Sequence, residues 1–339
     1  MWKLLLPVLI LLFTTANLLS QNRAEDFEIS LPEIKISNSL YKTIHCIDSR
    51  HDTTYMGIVQ LGAFNKKARV VPEIPFCVQL TNLVSALIDN SAKEGELLFQ
   101  LRQLSFAEIT GAMSEKGYCY LRASIYSKAN NRYQKLNSID TVILIKTMDV
   151  TRALFRNGSK TITDFISKSL LKSPADLNDY SFNDIINIDS IEKRKITVYN
   201  TAVLSDGLYE NYQSFMNQVP DKKITVEMKK QNISQVKTID QDGKSEKVKA
   251  KDIYAIVHNG QPYIATDYGY YPLQKTGDDF FFTGKAKVSA NTGDVIAASF
   301  FFGIIGGLIA SDAEAVFDMK LDHMNGGFIR LREIKPIPQ

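Results

Sequence analysis

GYCYLRASIYS, residues Gly117–Ser127, alternates between two kinds of side chain. Cys119, Leu121, Ala123 and Ile125 share one parity, and Tyr118, Tyr120, Arg122 and Tyr126 share the other. Such alternation is that of a β-strand, and its apolar parity marks the face turned to a core. On the N-terminal side, Glu96–Glu108 repeats the pattern, with Leu97, Phe99 and Leu101 set against Leu98, Gln100 and Arg102. On the C-terminal side, Asn130–Asn131 signals a turn. Arg132–Leu136 then reads as a returning strand, and DTVILIK (Asp140–Lys146) as a buried one. Adjoining segments of this kind predict an antiparallel meander.

Outside the meander the period becomes helical. Phe76, Leu80, Leu83, Val84, Leu87 and Ile88 fall on one helix face, with Pro75 suited to the start and Gly95 beyond the end near Asn90. Leu154, Phe155, Ile162, Phe165, Ile166 and Leu170 do the same within Asp149–Leu171. Asn157–Gly158 is expected to split that helix, since glycine costs about 1 kcal/mol in a helix interior. Tyr41–Ile47 and Tyr55–Ala63 are strand candidates ahead of the first helix. The predicted class is α+β: residues 40–172 form a mostly antiparallel sheet with two helices on one face.

Residues 173–190, SPADLNDYSFNDIINIDS, have the composition of a linker, and 191–339 read as a β-rich second domain. Ile191–Leu204 is expected as a connecting strand and Leu208–Gln218 as a short helix stopped by Pro220. Short strands follow at Ile224–Met228, Ile253–Val257, Tyr263–Ala265 and Phe280–Phe282. Residues 316–334 form a hairpin around Asn325–Gly326, flanked by the alternating Phe317, Met319 and Leu321. Between strands and hairpin lies VIAASFFFGIIGGLIAS, Val295–Ser311, uncharged, with Phe300, Phe301 and Phe302 and a Gly303–Gly307 GxxxG spacing. If the hairpin pairs with the strands before it, a single crossing would put its flanks on opposite sides of a membrane. The segment is therefore expected as a short apolar helical insertion, buried or lying on a membrane surface.

Met1–Ser20 has the pattern of a secretory signal: Lys3, then LLLPVLILLF, then a small and polar exit with cleavage near Ser20–Gln21. Residues 21–39 are expected as a flexible lead-in. The 3 cysteines, Cys46, Cys77 and Cys119, are odd in number, so at least one is unpaired in an exported chain. Cys77 and Cys119 lie in apolar, patterned stretches and are expected as buried thiols; one disulfide stays open, without an assignment. The net charge of +3 gives no reason to expect a nucleic-acid partner.

The order strand, helix, meander, helix resembles the layout of the N-terminal regions of periplasmic accessory proteins of envelope transport systems. The LLSQ end of the signal, the Tyr/Asn/Lys-rich composition and GFIRL near the C-terminus resemble uncharacterised exported proteins of Bacteroidota. That resemblance implies a periplasmic or outer-membrane-associated location and brings no activity with it.

No GxSxG elbow or GxGxxG fingerprint occurs, and Gly243–Lys244–Ser245 lacks the first phosphate-loop glycine because position 238 is Thr238. Asp240, Asp242 and Gly243 lack the glutamate of a calcium loop, since position 249 is Lys249. No catalytic residue and no cofactor is assigned from the sequence. His45, Cys46, Asp48, His51 and Asp52 hold zinc-type donors in a spacing that matches no standard site, and a polar loop after a strand explains them equally well. His258 and His323 are isolated and read as structural. Tyr263, Tyr268, Tyr270 and Tyr271 could offer a partner surface or pack across strands, and Tyr118, Tyr120 and Tyr126 have the same two readings. The lysines of Lys222–Lys251 are expected as a solvated edge. The leading expectation is an exported envelope protein that binds or scaffolds an envelope protein, a glycan or a membrane surface. A hydrolase of envelope or dietary polymers and an accessory part of a transport assembly are the alternatives.

Overall fold

The computed structural model describes residues 23–50, 53–62, 66–110, 115–147, 149–175, 178–240, 242–287 and 314–334. The chain separates into two compact units, Met1–Ile186 and Asn187–Gln339.

In the first unit the elements run β1 (Ala24–Phe27), β2 (Tyr41–Asp48), β3 (Gly57–Leu61), β4 (Lys66–Pro72), α1 (Phe76–Leu87), β5 (Gly95–Thr110), β6 (Glu115–Ala129), β7 (Arg132–Ile145), α2 (Val150–Leu170), β8 (Asp179–Tyr180) and α3 (Phe182–Ile186). The strands form one sheet ordered β1-β4-β3-β5-β6-β7-β8, with β2 also paired to β5. The α+β class holds, and the meander β5-β6-β7 is antiparallel. Antiparallel pairing predominates across the sheet, with four of its seven strand pairings antiparallel, while β1–β4, β2–β5 and β3–β5 are parallel. α1 carries the chain back across the sheet before β5, and a crossover of that kind sets β5 parallel to β2 and β3.

β5 changes parity part-way. Leu97, Phe99 and Leu101 face the core, and so do Leu104 and Phe106. A bulge between Leu101 and Gln103 absorbs Arg102 and resets the alternation. Partners on β6 stay in step: Ile125 faces Phe99, Ala123 faces Leu101, Leu121 faces Leu104 and Cys119 faces Phe106. Both long helices pack on this face through Leu80, Leu83 and Leu87 of α1 and Leu154, Ile162, Ile166 and Leu170 of α2. Fully burying a side chain of this kind is worth about 1.5–3 kcal/mol.

α2 is continuous, capped by the Asp149 carboxylate accepting from the Arg152 amide, and is not split at Asn157–Gly158. Gly158 faces the sheet at close range. A Cβ there would lie 3.1 Å from Phe106 Cε1 and 3.3 Å from Cys119 Sγ. Residues 24–27, expected as lead-in, form β1, and Phe27 is fully buried against Phe106 and Phe155. Cys46 and Cys77 form a disulfide, so Cys77 is not the buried thiol expected; Cys119 is.

The second unit contains α4 (Ile188–Lys193), α5 (Thr197–Asn200), β9 (Gly207–Tyr209), α6 (Tyr212–Asn217), β10 (Lys223–Lys229), β11 (Asn232–Ile239), β12 (Ser245–Val248), β13 (Ala255–His258), β14 (Gln261–Thr266), β15 (Gly269–Pro272), β16 (Gln274–Thr276), β17 (Asp279–Lys287), β18 (Glu314–Leu321) and β19 (Phe328–Ile334). They make three small sheets, β10-β11-β12, β15-β14-β13-β9 and β16-β17-β18-β19. Ile191–Leu204, expected as a strand, instead holds part of α4 and all of α5. Their apolar Ile188, Val198 and Tyr199 are buried, and tertiary packing outweighs the β-propensity of Ile and Val here. The hairpin β18–β19 forms as expected and pairs with β17 from Phe281↔Lys320 to Lys287↔Glu314. Val295–Ser311, with Phe300, Phe301, Phe302, Gly303 and Gly307, lies outside the described residues. No helix among the described residues is long and apolar enough to cross a membrane.

Candidate functional site

The densest set of buried polar groups in the second unit surrounds the β18–β19 turn. Asp322 and His323 are 5% and 4% exposed. The turn is braced from within: the Met324 amide donates to Asp322 Oδ1 (3.0 Å), the Gly327 amide to Asn325 Oδ1 (2.8 Å), and the Gly326 amide to the Asp322 carbonyl (2.8 Å). Gly326 has φ +74, and a Cβ on it would stand 2.2 Å from the Tyr212 ring, so only glycine fits. From α6, Tyr212 donates its hydroxyl to the His323 carbonyl at 2.7 Å. Tyr254, which precedes β13, donates to the Gly326 carbonyl at 2.9 Å. The Tyr199 ring, on α5, meets the His323 imidazole edge-on at 6.4 Å.

Burial first, then nearby Tyr212, Asp279 and Asp322, pushes the Tyr199 hydroxyl far above its usual range. Burial also raises Tyr212 and Tyr254, followed by Asp322 and by Tyr212, respectively. These hydroxyls therefore remain protonated donors at any physiological pH. Tyr212 and Tyr254 use theirs to hold the turn backbone in place.

α4 supplies the facing side chains. Asp189 and Glu192 are three residues apart, so they share one side of the helix. The His323 ring nitrogen Nε2 lies 3.1 Å from Glu192 Oε2. One ligand atom each from Asp189, Glu192 and His323 lie within 4.8 Å of one another. Next to them Lys193, 6% exposed, binds Asp279 Oδ1 at 2.6 Å, and Lys320 binds Asp279 Oδ2 at 2.9 Å. Desolvation pushes Asp279 up, but hydrogen bonds and charge from the two lysines outweigh it and hold its carboxyl below the usual range. The arrangement brings together the exposed Asp189, the half-buried Glu192 and the buried His323, two carboxylates and one imidazole. Such a donor set can hold a cation.

In the first unit, an open cleft of about 870 Å³ runs beside β1 and the start of α2. Glu25, Asp26, Glu28, Glu115 and Asp149 line it together with Arg152 and Arg156. Glu108, 5% exposed, accepts from the Gln60 amide at 2.9 Å beside this cleft, and burial pushes its carboxyl up.

The residues singled out in the sequence lie elsewhere. Cys46 is bonded to Cys77, so its sulfur is no thiolate ligand. The Asp48 carboxylate is gripped by the buried Arg50 guanidinium through Nη2 at 2.6 Å and Nε at 2.9 Å. His45 sits 3.6 Å from Glu96 on the exposed parity of β2. His51 and Asp52 lie outside the described residues. Tyr270 and Tyr271 are neighbours on β15 and point to opposite faces. Tyr270 packs with Leu208, Val236 and Ile256, and Tyr271 with Phe282. Burial pushes the Tyr270 hydroxyl up to about 12. Tyr263 packs in the same cluster as Tyr270, and the Tyr268 amide donates to Thr266 Oγ1 in the turn before β15. Tyr118, Tyr120 and Tyr126 are buried. Among the residues of the β18–β19 site, His323 is isolated in the sequence. Its partner Glu192 is 131 positions away, and no local spacing reveals it.

No family model matches the sequence. No curated protein matches it either. Among solved structures, a Xanthomonas campestris protein described under DUF330 superposes with a TM-score of 0.30 and 11% identity, covering 43% of this chain and 94% of that one. A score that low does not establish a common fold.

Proposed function

We propose that the protein is exported to the cell envelope and serves there as a binding or scaffolding protein. The observation that carries this reading is the Cys46–Cys77 disulfide, which joins β2 to the first turn of α1 across a sequence separation of 31. Disulfides persist in oxidising compartments and are rare where thiols are kept reduced. The signal-like Met1–Ser20 supports the same compartment from an independent part of the chain. The likeness to exported proteins of Bacteroidota adds a periplasmic or outer-membrane-associated setting.

The test is fractionation of native cells with thiols trapped at lysis, followed by N-terminal sequencing of the protein recovered. The expected result is an envelope fraction, a chain that begins near Gln21, and trapping at Cys119 alone after unfolding. Recovery from the cytosol with all three cysteines trapped would overturn the reading. Cross-linking in the native envelope then tests the binding role, and a stoichiometric envelope partner is the expected product.

A further inference from the structure

We propose that Asp189, Glu192 and His323 form a binding site for one divalent transition-metal ion, with zinc the best fit. An imidazole and two carboxylates are borderline-to-hard donors of the kind zinc accepts, and three protein ligands leave one position open. Ligands on a tetrahedral zinc ion at about 2.0–2.2 Å stand about 3.3–3.6 Å apart. Glu192 Oε2 and His323 Nε2, at 3.1 Å, need to part by only a few tenths of an ångström to reach that separation. Asp189 is exposed and completes a triad whose ligand atoms lie within 4.8 Å, so turning one surface side chain closes the set.

The supporting shell is unusually complete for a turn. Tyr212 holds the His323 carbonyl, Tyr254 holds the Gly326 carbonyl, and Asp322 caps the turn amides. Fixing the backbone on both sides of His323 fixes the direction of its ring, which is what outer-shell groups do at metal centres. Lys193 and Lys320, the nearby cations, are engaged with Asp279. In the ion-bound form His323 Nε2 presents its lone pair to the ion and the neutral ring carries its proton on Nδ1. No covalent step is involved. The bound ion would tie α4 to the β18–β19 hairpin, and its open position would accept water or a donor from a partner.

The experiment uses the whole purified protein, oxidised, so that Cys46 and Cys77 offer no thiolate. It is stripped with a chelator and titrated with zinc in competition with a chromophoric chelator of known affinity. The expected result is one zinc per chain, with Glu192→Gln and Asp189→Asn each weakening it on the order of 10- to 100-fold. His45→Gln, at the exposed Glu96 pair, should have no effect. Glu192→Gln keeps a hydrogen-bonding group opposite His323, and Asp189 is exposed, so circular dichroism should show both variants folded. Zinc-edge absorption should report one nitrogen and otherwise oxygen donors. No stoichiometric zinc below about 100 μM, about −5.5 kcal/mol, would overturn the proposal. So would binding that survives both Asp189→Asn and Glu192→Gln unchanged.

Discussion

Replacing both bridged cysteines, Cys46→Ser with Cys77→Ser, should expose Cys119 to alkylation several hundred times faster than in the wild type. Cys119 is the remaining thiol, fully buried in the middle of β6 with Gly158 of α2 over it. Burial also pushes its thiol far up, so it is inert until the sheet opens. The disulfide closes a loop with a sequence separation of 31 that contains β3 and β4. The chain-entropy relation for a loop of that size gives about 3.7 kcal/mol at room temperature. When opening is fast and reversible, the alkylation rate scales with the open population. A loss of about 3.7 kcal/mol therefore corresponds to an acceleration of roughly 400-fold. The assay is mass-spectrometric alkylation of Cys119 under native conditions, repeated in low urea to confirm that global opening dominates. An acceleration below about 10-fold, or about 1.4 kcal/mol, would refute the claim that this bridge limits the unfolded state.

Other substitutions test the packing and the charges. Gly158→Val should destabilise the first unit by about 1–3 kcal/mol, because its side chain would press on Phe106 and Cys119; urea midpoints measure this, and an unchanged midpoint would show that α2 can lift off the sheet. Asp279→Asn should lower the melting temperature at neutral pH, since it leaves the buried Lys193 without its carboxylate. The Asp279 carboxyl is held below its unfolded value, so its contribution is present above the unfolded range and lost as pH falls through the folded one. The gap between wild type and variant should accordingly close on acidification, and a gap that is constant with pH would count against the ion pair. Glu108 has the opposite sign: burial raises its carboxyl, so ionisation at neutral pH costs stability. Glu108→Gln, which can still accept from Gln60, should raise the melting temperature at pH 7 and leave it unchanged at pH 4.

Much of the first unit was legible because its core residues repeat at fixed periods. The β6 alternation and the two helical stripes correspond directly to the observed core. What escaped was set by interactions between distant residues. Arg102 hides in an alternating run, yet it is the bulge that turns Leu104 and Phe106 inward. β1 is short and mostly polar, and only its pairing with β4 and the burial of Phe27 make it a strand. β4 alternates Ala68 and Val70 with Lys67 and Arg69, a pattern masked by its lysines and by Pro72. The β18–β19 site was illegible for a simpler reason. Asp189 lies in a segment with the composition of a linker, Glu192 in one that reads as a strand, and the histidine they meet comes from the far end of the chain.

The pairing of Lys287 with Glu314 has one further consequence. The chain leaves the sheet and rejoins it on adjacent strands at the same rung. Lys287 and Glu314, which flank residues 288–313, are thus held side by side by the sheet itself. The entropic cost of joining two fixed points by a chain grows only slowly with its length, each doubling costing about 0.6 kcal/mol. The pairing of β17 with β18 therefore depends little on how many residues join them. Replacing 288–313 with a two-residue Asn-Gly turn should leave β17 and β18 paired. Whatever property the apolar segment confers can then be removed without unfolding the protein that carries it.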